Sequence, residues 1–212
     1  MTEVKINDKI TLYNADCMEV MAMYPNGYFD LALIDPPYRD DKDCKGTIRT
    51  AGNKQSSLAF GGRPTKEYWD ELMRVSKHQI VFGANNYGIP FKGYIVWDKT
   101  NIPDKFSMSK CELASVDDKL STVGKICHFS SSPRRGTRIH PTQKPVDLYL
   151  WILDNYAKAG WKIIDTHLGS GSSAIASNEF GCGEFVGIEI GEDFFNATVD
   201  RLTKYNESKN EQ

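Results

Sequence analysis

The sequence predicts an α/β domain built on a doubly wound, mostly parallel sheet, and three observations carry that expectation. Apolar runs of strand length recur and each stops at a polar cluster: Phe29 to Ile34 at Asp35, Gln79 to Phe82 at Gly83-Ala84-Asn85-Asn86-Tyr87, Tyr94 to Trp97 at Asp98, and Trp161 to Asp165 at a glycine-rich turn. Such runs suit strands covered on both faces. Segments with helical spacing alternate with them, which is the rhythm of a sheet wound with helices. The chain has 212 residues, enough for one such domain with a core and too few for two of ordinary size.

In chain order, Ile10 to Asn14 alternates apolar and polar residues and reads as a short strand, followed by a helix from Cys17 to Met23. Pro25-Asn26-Gly27 makes a turn into the strand Phe29 to Ile34. The stretch 39–64 is rich in Gly, Ser, Thr, Lys and Asp, has no periodicity, and is longer than an ordinary connection, so it is either a mobile functional loop or disordered, and a loop that orders on substrate is expected. Thr65, then Tyr68, Trp69, Leu72 and Val75, predicts a capped amphipathic helix. The segment 99–139 is the least regular; it holds strands at Glu112 to Val116 and Ile126 to Phe129 and is read as an insertion carrying target recognition. Pro145 to Tyr156 is a largely buried helix with proline at its first position. Ser172 to Phe180 is a helix, Glu184 to Glu189 a strand, and Asp193 to Tyr205 a last amphipathic helix before a polar, frayed tail.

Composition excludes several classes. No apolar run approaches the ~20 residues that span a bilayer, and the first ten residues lack the apolar core of a secretory signal. Five scattered cysteines, odd in number and without C-x-x-C spacing, argue against a disulfide framework and a zinc site, so a cytoplasmic protein with reduced thiols is expected. His78, His128 and His140 have no metal-binding spacing. The net charge is -2, yet cations concentrate in two places. Seven face three carboxylates between Arg39 and Lys66, and nine face four between Lys99 and Lys144. Basic irregular sequence suits phosphate contacts, with Arg39, Arg63, Arg134, Arg135 and Arg138 the candidates for making them.

Two constellations carry chemistry. The strand Leu31-Ala32-Leu33-Ile34 ends at Asp35-Pro36-Pro37-Tyr38; two residues without an N–H cannot extend a ladder, so the chain must leave the sheet at Asp35. Ligands of open α/β sheets bind outside the carboxyl ends of strands, where Asp35 and Tyr38 then project. The bland alternative is a rigid turn with a capping Asp. The second constellation reads strand, Asp165, Gly169-Ser170-Gly171-Ser172-Ser173-Ala174, helix, strand, Glu189. Glycines let backbone approach a ligand and an acid about 20 positions on can take ribose hydroxyls, so an adenosine-containing cofactor is implied without saying which.

With His140-Pro141-Thr142-Gln143-Lys144-Pro145 upstream of the glycine loop, these motifs resemble the amino-methyltransferases that modify exocyclic amines of DNA bases. Their order, with Asp-Pro-Pro-Tyr first and the glycine loop last, resembles the circularly permuted β group over Asp16 to about Leu202. The resemblance implies a Rossmann-like S-adenosylmethionine-dependent methyltransferase fold with a seven-stranded mixed sheet. It also implies methyl transfer to N6 of adenine in DNA, with N4 of cytosine as the alternative. By motif position, Asp165, Gly169 and Gly171 are expected beside the cofactor's methionine part, Ser172 among the cofactor contacts of the glycine loop, and Glu189 at the ribose. Thr142, Gln143 and Lys144 are expected at its carboxylate end, and Asp16 and Cys17 at its adenine. Where the family has Asp-Pro-Phe this chain has Asp165-Thr166-His167, and His167 is taken as a further contact.

The chemistry accounts for the residue types. An exocyclic amine is a poor nucleophile whose two hydrogens need acceptors; Asp35 and the Pro36 carbonyl can supply them, with transfer by direct in-line displacement governed by positioning. A base inside a duplex must be flipped out, and Tyr38 offers it a stacking face. So short a chain leaves target recognition brief or completed by a second copy in a homodimer. A nicotinamide oxidoreductase would use the same glycine unit but leave Asp-Pro-Pro-Tyr unexplained; a silent nucleic-acid-binding module would leave both motifs unexplained.

Overall fold

The computed structural model describes residues 1–38, 48–49, 55–56, 62–89, 91–132 and 138–210. Among these residues, eleven strands and five α-helices are formed: β1 Thr2–Lys5, β2 Ile10–Asn14, α1 Cys17–Met21, β3 Phe29–Ile34, β4 Ile48–Arg49, β5 Gln55–Ser56, α2 Lys66–Val75, β6 Ser76–Phe82, β7 Gly93–Lys99, β8 Cys111–Val116, β9 Lys125–Phe129, α3 Val146–Tyr156, β10 Lys162–Asp165, α4 Ser172–Phe180, β11 Glu184–Glu189 and α5 Glu192–Asn210. Nine strands make one sheet in the order β1-β2-β11-β10-β3-β6-β8-β7-β9, while β4 and β5 pair with each other.

The α/β expectation holds, but the sheet has nine strands rather than seven. The extra width lies at the edges. β1 pairs antiparallel with β2, from Thr2 opposite Asn14 to Lys5 opposite Thr11. Its residues are almost all exposed, so they carry no apolar signal from which a strand could be predicted. At the other edge β9 pairs parallel with β7, which makes two strands of the segment 99–139, β8 and β9, part of the main sheet. The second departure is α5, which continues to Asn210 where a frayed tail was expected. Tyr205 donates to Glu179 on α4 at 2.8 Å, and Asn206 accepts from Asn7 at 3.3 Å.

Alternation along the strands builds two cores. Leu31 and Leu33 of β3 join Ile80, Phe82, Ile95, Trp97 and Ala114 on the face covered by α3, α4 and α5. Ala32 and Ile34 join Val81, Ile164 and Val186 on the face covered by α1 and α2. The helices follow from the same logic. α2 is capped by the Thr65 side chain, which accepts from Tyr68 N, and buries Tyr68, Leu72 and Val75 at helical spacing. α3 buries six apolar or aromatic residues from Val146 to Tyr156, with Pro145 one place earlier than expected, at the cap.

Because β8 runs antiparallel to both β6 and β7, the ends of β3, β6, β7, β10 and β11 and the start of β8 share one sheet edge. Among the described residues, no helix is long and apolar enough to cross a membrane.

Candidate active site

The edge is populated as strand phase dictates. Residues 31, 33 and 35 share a face of β3, so Asp35 leaves the sheet on the α3 side, above Phe82. Trp97 lies opposite Glu112 in the ladder between β7 and β8, so Glu112 and Lys99 emerge on that side too. Lys144, in the turn before α3, reaches into the same corner. Its ammonium pairs with Asp35 Oδ2 and lies 3.2 Å from Glu112 Oε2, and Lys99 Nζ is 2.6 Å from Glu112 Oε1. Only 4 % of the Lys144 side chain is exposed. Burial disfavours its charge, but Asp35 and Glu112 outweigh burial and raise its pKa. Burial pushes Glu112 up, and Lys144 and Lys99 more than reverse this, leaving it below its ordinary range.

The Tyr38 hydroxyl donates to Asp35 Oδ1 at 2.7 Å. Burial, with the charges of Asp35 and Glu112, holds this phenol far above its usual range, so it stays a donor. Its ring lies against Gly83, where an added Cβ would come within 2.2 Å of it. Gly83 has φ +66, a conformation that favours glycine. After a single turn at Ala84–Asn86, the Tyr87 hydroxyl lies 2.8 Å from the Pro36 carbonyl and 2.7 Å from that of Pro37. The Asp-Pro-Pro-Tyr turn is therefore held from the ends of two neighbouring strands, β6 and β8, as well as by the Lys144 turn. Sequence reasoning missed Glu112, Lys99, Gly83 and Tyr87. The polar cluster ending β6 was noticed without a role, and Lys99 was counted only as part of a basic segment.

The glycine unit lies beside this corner because β10 pairs parallel with β3. Asp165 is buried; its Oδ1 accepts from His167 N at 3.0 Å and its Oδ2 from Ser173 Oγ at 2.5 Å. Burial pushes its pKa up to about 7. Gly169 and Gly171 have φ +52 and +71. Glu189 accepts from Gly169 N and Gly191 N, both at 2.9 Å, and burial raises its pKa. Ser172 begins α4 with its hydroxyl 3.1 Å from Arg201, which also donates to Ser170 O at 2.7 Å. Burial lowers His167 to about 4, so its ring is neutral; it packs edge-on against Tyr68 at 5.5 Å and bonds Thr166 through Nδ1 at 3.0 Å.

The other expected residues divide. Asp16 caps α1, accepting from Met18 N at 2.8 Å, and the neighbouring Cys17 thiol is pushed up to about 12 by burial. Thr142 is exposed and bonds His140, while Gln143 is buried. Gln143 Oε1 accepts from Ile139 N at 2.9 Å, but its Nε2 has no partner among the described residues. A buried donor left open in this way fits a ligand with an acceptor group. Arg63 is exposed just before α2. Arg138 donates to Pro141 O and Ser131 O, both at 2.9 Å, and so pins its own loop. Arg39, Arg134 and Arg135 lie outside the described residues.

A mixed sheet carrying a glycine loop after one strand and Asp-Pro-Pro-Tyr after its neighbour has the fold of the α/β methyltransferases. The chain belongs to the DNA methylase family whose N6_N4_Mtase model matches residues 94–200, about half its length. The matched span holds Lys99, Glu112, Lys144 and the glycine unit. The protein named "Putative methylase YubD" of Escherichia coli (strain K12) is 27% identical over 206 residues, covering 88% of this chain and 87% of the relative. Among solved structures, the M1.HpyAVI–SAM complex has a TM-score of 0.62 at 21% identity, covering 91% of this chain and 98% of that one. The cytosine-N4-specific PvuII DNA methyltransferase has a TM-score of 0.59 at 12% identity, covering 95% and 92%. TTHA0409 of Thermus thermophilus, complexed with S-adenosyl-L-methionine, has a TM-score of 0.55 at 14% identity, covering 91% and 94%. At these identities the structural likeness concerns the fold.

Proposed function

We propose that this protein transfers the methyl group of S-adenosylmethionine to N6 of adenine in DNA. The observation that carries the reading is the adjacency of the two motifs: Asp35 and the Pro36 carbonyl stand at the end of β3, next to the strand that leads into the glycine loop. The bound cofactor would supply an electrophilic methyl on a sulfonium. Glu189 retains acceptor capacity for ribose hydroxyls beside its two backbone bonds, and the open Gln143 Nε2 suits the amino-acid carboxylate. Asp165, buried between β10 and α4, orders the loop through His167 N and Ser173.

On the substrate side, Asp35 Oδ and the Pro36 carbonyl accept the two amine hydrogens, which directs the nitrogen lone pair outward. Transfer to that lone pair needs no covalent intermediate, so alignment and electrostatics carry the rate. The amine loses one proton on methylation, for which Asp35 and water are the acceptors at hand. Tyr38 holds the Asp35 carboxylate in place and offers ring surface to the flipped base. Arg63 and the basic segments at 39–64 and 99–139 would meet the DNA backbone. A homodimer would extend that footprint.

Two measurements test this. Unsorted genomic DNA is incubated with the protein and methyl-labelled cofactor, digested to nucleosides and resolved by mass spectrometry. N6-methyladenine is expected; N4-methylcytosine would move the assignment to the other amine, and an unlabelled digest would defeat it. Asp35→Ala should abolish transfer while cofactor binding persists, and near-normal turnover in that variant would remove Asp35 from the mechanism.

A further inference from the structure

The two acceptors assigned to the target amine are already engaged by the protein's own donors. The Lys144 ammonium and the Tyr38 hydroxyl hold Asp35, and the Tyr87 hydroxyl holds the Pro36 carbonyl. The motif places Lys144 at the carboxylate end of the cofactor; the geometry points it elsewhere. We propose that Lys144 and Glu112 are positioning residues of the amine pocket. The Lys144 ammonium, shared between Asp35 and Glu112, holds the Asp35 carboxylate in place as an acceptor. It yields that carboxylate to the target amine by withdrawing onto Glu112. This rests on the reading of Asp35 as the amine's acceptor.

The charges explain the arrangement. Asp35, Glu112, Lys99 and Lys144 make three ion-pair contacts in one corner, and their formal charges, two negative and two positive, cancel. A neutral amine cannot compete for a carboxylate gripped by a buried ammonium unless the ammonium has a second anionic seat within reach. Glu112 is that seat, 3.2 Å away, and Lys99 keeps it charged. Without Lys144, Asp35 and Glu112 would face each other across the Tyr38 hydroxyl, with Lys99 paired only to the other oxygen of Glu112. Two carboxylates so placed share a proton. A protonated Asp35 donates where the amine needs an acceptor.

The other titratable groups facing Asp35 are Tyr38 and Tyr87 from the turns after β3 and β6, Tyr149 from α3, and Asp165 from β10. Burial raises all three phenols, so none ionises near neutral pH. Burial pushes Asp165 up to about 7 and the charge of Asp35 adds to it, so each profile is repeated in the Asp165→Asn background to separate the two groups.

The test uses the full chain with DNA and S-adenosylmethionine. Cofactor Kd is measured by calorimetry and kcat is followed from roughly pH 4 to pH 9. In Lys144→Met the cofactor Kd should stay within about threefold of wild type. The acid limb of kcat should move up by about one pH unit or more, and Lys144→Arg should restore it. Glu112→Gln should move the limb the other way and lower the plateau, because the ammonium is then left to Asp35 alone. A Kd weakened about tenfold or more in Lys144→Met, with the limb unmoved, returns Lys144 to the cofactor and overturns the proposal. So does a variant indistinguishable from wild type. If Lys144→Met loses its fold by circular dichroism, Glu112→Gln decides: a limb that stays put or moves up overturns the proposal. A wild-type protein that labels no DNA defeats the amine-transfer reading instead.

Discussion

Asp165 shows how one buried carboxyl ties stability to pH. It is 1 % exposed, and burial lifts it to about 7 against the pull of Ser173 and the His167 N–H. In the unfolded chain an aspartate titrates near about 3.9. Between those values the folded protein keeps a proton that the unfolded chain has released, so this group makes stability fall as pH rises toward and through 7. Asp165→Asn removes the dependence. Denaturant unfolding at pH 5 and pH 8 should show wild type losing more stability across the interval than Asp165→Asn; equal losses would show that the group is not buried with a raised pKa. Asp35, Asp165 and Glu189 were legible in the sequence because each ends, or directly follows, its own strand. Glu112, Lys99 and Tyr87 were not, since their role depends on which strands are neighbours. Only the order β3-β6-β8-β7 brings the start of β8 over the end of β3.

At the scale of elements, the two loop glycines resemble each other in the motif but are required for different reasons. At Gly171 an added Cβ would lie 2.5 Å from Leu202 Cδ1 and 2.7 Å from Thr198 Cγ2, so α5 packs against the glycine itself. At Gly169 the nearest atom to such a Cβ would be His140 at 3.5 Å, an ordinary contact. Both have positive φ, but only Gly171 adds an overlap between α4 and α5. Gly169→Ala should therefore cost about 1 kcal/mol from backbone conformation. Gly171→Ala should cost about 2 kcal/mol or more beyond that, since α5 has to shift. Thermal unfolding of the two variants checks this, and similar melting temperatures would show that α5 adapts freely. The motif made the βαβ unit visible in the sequence. That one of its glycines serves helix packing could not be read there, because Thr198 and Leu202 belong to a helix beyond the motif.

At the scale of the whole molecule, the parts that escaped sequence reasoning are the two ends of the chain, and they meet. Asn7, in the turn between β1 and β2, accepts from the N–H groups of Lys9 and Ile10, both at 2.9 Å. Its amide also reaches Asn178 of α4 at 3.4 Å and Asn206 of α5 at 3.3 Å. Neither β1 nor the last turns of α5 has an apolar stripe strong enough to announce it; each is stabilised by contacts distant in sequence, which local patterning does not record. One polar side chain thus joins the edge of the sheet to the end of its last helix. Asn7→Ala removes the turn's acceptor and the tie to α5 together, and should cost about 1–2 kcal/mol. It should also speed amide exchange over the last turns of α5 while leaving the glycine loop and the Asp35 corner as protected as before. If exchange in α5 is unchanged, Tyr205 and its bond to Glu179 suffice to hold the helix end, and Asn7 acts only within its own turn.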